Sequence, residues 1–281
     1  MTGFFSKTDD GKRVIHKTEE EVELIRQSCL LVCKTLAHVG TILKPGTTGA
    51  AIDKEAETFI RDHHARPAFK GYNGFPATLC VSYNDIVVHG IPANRPFKET
   101  DVVSVDCGVE MNGYFGDAAF TFAFSAVAPD IMELLQVTYR SLYVGIEKAV
   151  AGNRIGDISS AIQEYCERQH GYGVVRELVG HGIGRALHED PEVPNYGKRG
   201  QGPLMKEGLV IAIEPMINLG KRDVYQANDG WTIRTRDHKP SAHYEHTIAV
   251  QKNKADVLSD HSYILEVVKN NPELKEVSPK N

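Results

Sequence analysis

The plan of the first half of this chain recurs in its second half, and that repetition limits the fold more than any other feature. Thr18-Glu-Glu-Glu21 has the pattern of a capping box, in which the Thr18 hydroxyl and the Glu21 carboxylate satisfy exposed backbone donors reciprocally. Val22, Ile25, Cys29, Val32, Leu36 and Val39 come next at the spacing of one helical face. Pro45-Gly46 ends that helix, and a second is predicted over about 50–64 with Ile52, Ala56, Phe59 and Ile60 facing inward. Beyond Pro129, a helix is predicted over about 130–150, then Gly152, then a helix over about 157–170. Laying Gly46 on Gly152, a shift of 106 residues, places Ile52 on Ile158, Ala56 on Ile162 and Phe59 on Tyr165. Apolar periodicity alone aligns any two helices. The weight rests on the strand-like segments that come after each pair, over about 78–88 and 102–124 in the first half and over about 209–217 and 243–250 in the second. The implied class is α+β, two similar halves in one domain. No Gly/Ser-rich or Pro-rich linker separates them, so a site shared between the halves is expected.

Residues 1–14 show no periodicity and are expected as a flexible surface segment, with one catalytic domain over 15–265 and a tail over 266–281. The net charge of -5, without a long run of one sign, argues against nucleic-acid-specific binding and against a polybasic membrane patch. Cys29, Cys33, Cys80, Cys107 and Cys166 are odd in number and form no C-x-x-C pair, which fits a reducing compartment. The N-terminus has no apolar core with basic flanks, and no later stretch approaches about 18 apolar residues, so a cytoplasmic location is expected.

Val102-Val-Ser-Val-Asp-Cys-Gly-Val109 reads as a mostly apolar strand, Asn112-Gly113 as a hairpin turn and 114–124 as the returning strand. With Asn112 and Gly113 as the turn residues, Asp106 faces Ala119 and Asp117 is its diagonal neighbour, so both carboxylates leave the same face. Carboxylates held that close in apolar strands repel each other unless a cation neutralises them. Glu214 closes Gly-Leu-Val-Ile-Ala-Ile213 and precedes Pro215, and Glu245 precedes another apolar run. His181 lies in Val-Gly-His-Gly-Ile-Gly, where glycines permit close approach and an unusual backbone path. Taken singly, each of the five reads equally as a satisfied buried polar group or a surface residue. Together they make an oxygen-rich donor set suited to Mn²⁺, Fe²⁺ or Co²⁺ rather than to structural zinc. Four carboxylates leave excess charge on one divalent ion and balance two, which points to metal-assisted hydrolysis without naming a substrate.

The stretches Gly71-Tyr-Asn-Gly-Phe-Pro, His89-Gly-Ile-Pro, Val105-Asp-Cys-Gly, Gly116-Asp117, Gly180-His-Gly-Ile-Gly, Leu187-His-Glu-Asp-Pro, Ile213-Glu-Pro and Glu245-His-Thr resemble, in order and spacing, the type I methionine aminopeptidases of the pita-bread fold. The resemblance runs over about 15–250. It implies two pseudo-two-fold halves with a curved antiparallel sheet covered by helices, and two divalent metal ions. Asp106 and Asp117 would hold the first ion, with Asp117 bridging to a second held by His181 and Glu214, and Glu245 bridging both. It further implies His89 near the scissile amide, His188 on the scissile carbonyl, and Glu214 moving a proton from water to the leaving amine.

The same resemblance implies an apolar methionine pocket at Tyr72, Phe75, Cys80 and Trp231. Leu187 stands where many relatives carry phenylalanine and Phe69 where several carry cysteine, so a rearranged pocket is expected. The implied partners are peptides and nascent polypeptides beginning with methionine, the second residue small, with the ribosome a candidate partner and a monomer expected. Two rivals remain. An X-Pro aminopeptidase or prolidase would bring a long N-terminal domain, and a non-catalytic pita-bread peptide-binding protein would lack metal ligands. A type II enzyme would carry a helical insertion between Glu214 and Glu245.

Overall fold

The computed structural model describes residues 5–7, 11 and 13–278. The capping box forms as its residues require. The Glu21 N–H donates to Thr18 Oγ1 at 3.3 Å and the Thr18 N–H to the Glu21 carboxylate at 3.1 Å, opening helix α1 (Glu19–Ile42). Helix α2 (Gly49–Asp62) is capped by the Thr48 hydroxyl. Helices α3 (Pro129–Ile146) and α4 (Ile155–Gln163) are their counterparts. The helix expected to reach His170 instead widens into a π turn over Glu164–Gln169.

The repeat is present in the backbone as well as in the apolar pattern. Gly46 and Gly152 both take left-handed φ values, +89° and +95°, which a residue without Cβ adopts at little cost. The Gly46 N–H donates to Phe97 O and the Gly152 N–H to Met205 O, while Phe97 N–H returns to Thr47 O and Met205 N–H to Asn153 O. Isolated bridges join Thr48 to Pro96 and Arg154 to Leu204. Matching bonds between non-matching side chains mean that the two halves share one backbone path.

Each half presents an antiparallel ladder. In the first, Val102–Met111 lies between Leu79–Tyr83 and Tyr114–Phe124, and the hairpin register sets Asp106 opposite Ala119 and Asp117 opposite Gly108, as expected. In the second, Val210–Ile213 pairs with His246–Val250, and Met216–Asn218 pairs with Ser241–His243. The register is the same on both sides of the gap, so Glu214 stands opposite Glu245. Pro215 has no N–H to give to a ladder, and the strands open where the two glutamates lie.

The strand Gly180–Gly182 is held against Ile211 on one side and Glu189–Val193 on the other. A Cβ on Gly180 would meet Ala212 O at 2.4 Å, and one on Gly182 would meet Asp190 O at 2.4 Å. The glycines flanking His181 thus serve close approach. The unusual backbone path also expected of them is absent, since neither has a positive φ.

One core runs through both halves, joining Val32, Leu36, Val105 and Phe120 to Leu134, Ile158, Ile211 and Ile248. Both expected termini need correction. Phe5–Lys7 pairs antiparallel with Arg13–Ile15, so part of the segment read as loose is a strand pair; residues 1–4, 8–10 and 12 lie outside the described residues. At the other end, position 265 falls inside helix α5 (Ser262–Asn270). Leu274–Lys275 then pairs with Phe124 and Ala123, and Val268, Leu274 and Val277 are buried. The apolar residues that anchor 266–278 are interleaved with lysine and glutamate, which disguised them as a tail; 279–281 lie outside the described residues. Among the described residues no helix is long and apolar enough to cross a membrane.

Candidate metal centre

Asp106 and Asp117 from the first hairpin, Glu214 and Glu245 from the broken ladder, and His181 all line one cavity of about 280 Å³. Ligating atoms of Asp117, His181 and Glu245 lie within 4.8 Å of one another. His181 Nε2 is 3.9 Å from Asp117 Oδ2 and 3.8 Å from Glu214 Oε1. These contacts are not ion pairs, because burial pushes the imidazole down to about 3 and keeps it neutral. His181 Nδ1 lies 2.9 Å from Gly182 O; with its proton there, Nε2 turns a lone pair to the cavity.

The carboxyl groups are as ill at ease as their sequence contexts imply. Asp106 Oδ1, Asp117 Oδ1 and Glu245 Oε1 are buried without a hydrogen-bond partner in the described residues. Burial pushes Asp106 up to about 7 and Glu214 up to about 8. Asp117 and Glu245 are raised well above the carboxylate range, first by burial and then by their acidic neighbours. Buried, clustered and unsatisfied acceptors around one neutral imidazole fit hard divalent cations. The Cys80 thiol also lines the cavity, but burial drives it well above its ordinary value, so it stays a protonated, apolar wall.

The structure brings every other expected residue to the same cavity: His89, His188, Phe69, Tyr72, Phe75, Leu187 and Trp231. His89 sits at φ +56°, a strained value for a side-chain-bearing residue. Gly90 after it lets the chain pass Val81 O, which a Cβ would meet at 2.3 Å. Burial lowers His89 to about 4 and lowers His188, so both imidazoles are neutral. His188 Nδ1 is 2.8 Å from the Tyr72 hydroxyl, and its ring lies 4.3 Å from that of His181. Phe75 and Trp231 meet edge to face at 5.2 Å. On the activity that the resemblance implies, Leu187→Phe, which adds an aromatic ring to this wall, is expected to change the ratio of kcat/KM for methionine over leucine at the peptide N-terminus by at least about fivefold. Equal ratios in both proteins would remove Leu187 from the specificity wall.

Sequence reasoning missed Asn73, Val88, Leu178, Val179 and Met216, which also line the cavity, each within three residues of a named one. It also missed two polar groups behind it. His243 Nε2 lies 3.5 Å from Glu214 Oε2, and its signal was the same misfit seen elsewhere, an imidazole in an apolar strand. Lys17 Nζ meets Glu189 Oε2 at 2.6 Å with both side chains buried, while Glu189 Oε1 accepts the Arg185 and Ala186 N–H groups. That pair pins the hairpin that carries Leu187 and His188. Lys17→Met leaves the Glu189 carboxylate buried without its cation, and urea unfolding is expected to show a loss of about 3–5 kcal/mol. A change below about 1 kcal/mol would mean that solvent reaches the pair.

Fold and centre together define a metallopeptidase built on two pseudo-symmetric halves. The model of metallopeptidase family M24 matches residues 23–252, and the chain belongs to that family. Its relatives are narrower in kind. The methionine aminopeptidase of Clostridium acetobutylicum is 49% identical over 247 residues, covering 88% of this chain and 98% of that protein. Methionine aminopeptidase 1 of Bacillus subtilis is 45% identical over 246 residues, covering 88% and 99%. The crystal structure of methionine aminopeptidase from Rickettsia prowazekii superposes with a TM-score of 0.86 at 40% identity, over 88% of this chain and 100% of that one. Prolidase from Pyrococcus furiosus shares the fold alone, with a TM-score of 0.72 at 22% identity over 87% of this chain and 65% of that one.

Proposed function

We propose that this chain is a methionine aminopeptidase that removes the initiator methionine from peptides and nascent proteins with a small second residue, acting in the cytoplasm as a monomer. The observation that carries this reading is the cavity, in which unsatisfied buried carboxylates and a neutral imidazole adjoin an apolar wall. Asp106, Asp117, His181, Glu214 and Glu245 would hold two divalent ions. When bound, such ions acidify water and polarise the scissile carbonyl.

The chain's own groups do the rest. Glu214, raised to about 8 by burial in the metal-free chain, would be ionised once cations neutralise the cluster; as a carboxylate it takes one proton from the attacking water and, as the resulting acid, gives that proton to the leaving amine. The Tyr72 hydroxyl donates to His188 Nδ1 in the tautomer whose Nε2 carries the proton, and that N–H stabilises the oxygen of the attacked carbonyl. His89, neutral and aimed by its left-handed backbone, stands on the amide side. Phe69, Phe75, Trp231, Leu187 and Cys80 exclude water from the methionine side chain and suit a polarizable thioether.

A peptide series tests this reading. Met-Ala-Ser is expected to lose its methionine, Met-Leu-Ser to lose it at least about tenfold more slowly, and an Ala-Pro dipeptide to remain intact. Cleavage of Ala-Pro without release of methionine would replace this reading with the prolidase one.

A further inference from the structure

We propose that His243 is a positioning residue for Glu214: an imidazole whose Nε2–H donates to Glu214 Oε2 and so aims the other carboxylate oxygen at the His181 side of the cavity. The inference rests on the reading of Glu214 given above, and begins from a carboxylate held between two rings. Glu214 Oε1 is 3.8 Å from His181 Nε2, and Glu214 Oε2 is 3.5 Å from His243 Nε2. His243 does not line the cavity; it is 1% exposed and stands behind the glutamate.

Its Nε2 is buried and has no hydrogen bond within the described residues, and Glu214 Oε2 lies 3.5 Å from it. A buried donor left without a partner is costly, and closing 3.5 Å to a normal hydrogen bond takes a movement of a few tenths of an ångström.

The backbone beneath the ring leaves it little freedom. The His243 N–H donates to Thr121 Oγ1 at 3.0 Å, and the Thr121 hydroxyl donates back to His243 O at 2.7 Å. Ser104 Oγ lies 2.8 Å from that hydroxyl, so the first-half hairpin grips the second-half strand at this point. On the other side His243 pairs directly with Met216, two residues after Glu214. Ring and carboxylate therefore ride on paired strands in a fixed relation. Glu214 comes after the last paired residue of its strand and precedes a proline, where ladder bonds no longer orient it.

The test compares His243→Ala with His243→Gln, whose side-chain amide also ends in an N–H donor, in the full chain. Mn²⁺ affinity of chelator-treated protein is measured by calorimetry, and kcat and KM on Met-Ala-Ser by kinetics. His243→Ala is expected to weaken Mn²⁺ binding at least about tenfold and to lower kcat about 10–100-fold with KM within about threefold, while His243→Gln stays within about threefold of the parent in all three. Nitrogen-15 NMR of the parent is expected to show the Nε2–H tautomer of His243. His243→Ala within twofold of the parent in both affinity and kcat would overturn the proposal. So would a folded His243→Gln with the full defect, or an Nδ1–H tautomer. If His243→Ala does not fold, the Gln variant and the tautomer decide. A parent that binds Mn²⁺ but releases no methionine defeats the proposed activity, while the affinity comparison still decides the role of His243.

Discussion

Asp117→Ala is expected to lower methionine release from Met-Ala-Ser by more than about 10³-fold, the scale lost when electrostatic stabilisation at a reacting centre is removed. Asp117 is where the two halves meet chemically. It projects from the first-half hairpin, lies within ligand range of His181 and Glu245 from the second half, and leaves one oxygen buried and unpartnered. On the proposed reading Asp117 would serve both ions, and its loss would take both away. Metal analysis of the variant is therefore expected to show fewer than one ion retained per chain. The same change removes a buried, repelled carboxyl group, so the metal-free variant is expected to melt at or above the temperature of the metal-free parent at pH 8. That second result separates loss of binding from loss of folding. Undiminished turnover would refute the shared-ligand role of Asp117.

The metal-free protein is also expected to lose stability as the pH rises from 6.5 to 8. Asp106 and Glu214 titrate at about 7 and about 8 in the folded chain, above their unfolded values. The folded state keeps protons that the unfolded state releases, so their contribution is full below about pH 4 and declines as pH rises. His181 and His89, pushed down to about 3 and about 4, act in the opposite direction. The unfolded chain takes up protons below about 6.5 that the folded rings refuse, so their contribution declines as pH falls. The two slopes oppose each other between about 4 and 6.5, and only the carboxyl slope remains above. In chelator, Tm is expected to fall by at least about 4 °C from pH 6.5 to 8. With saturating Mn²⁺ the fall is expected to vanish, since the cation replaces the protons. A metal-free Tm that holds or rises across that interval would contradict the clustering of these four groups.

Much of this was legible because local signals carried it. The capping box at Thr18 and the Asn112-Gly113 turn are chemistry within a few residues, and the turn alone sets the register that brings Asp106 and Asp117 to one face. The repeat at Gly46 and Gly152 was visible for the same reason, since each glycine satisfies a local demand for left-handed backbone. What remained hidden depends on partners distant in sequence. Glu214 lies opposite Glu245 because 210–218 returns against 241–250 across an excursion that holds its own hairpin, Val224–Gln226 with Ile233–Thr235. No short-range pattern announces that return. Lys17 sits next to the Thr18 cap, and nothing in its neighbouring residues announces Glu189, the partner that buries it. His243 looked like one of twelve histidines until Glu214 was placed beside it. The tail was hidden for a related reason, because helix α5 packs on α1 and Leu274 pairs with the edge of strand Tyr114–Phe124, both distant in sequence.

The most direct measurement is mass spectrometry of a Met-Ala-Ser peptide incubated anaerobically with chelator-treated protein, alone and after addition of Mn²⁺, Fe²⁺ or Co²⁺. The expected result is loss of a single methionine in the presence of at least one of these ions. No loss is expected without metal, and none from the N-acetylated peptide, which lacks the free amine that an exopeptidase must bind. A protein that takes up none of the three ions and leaves the free peptide intact under all of them would contradict the assignment of this cavity as a metal-dependent aminopeptidase centre.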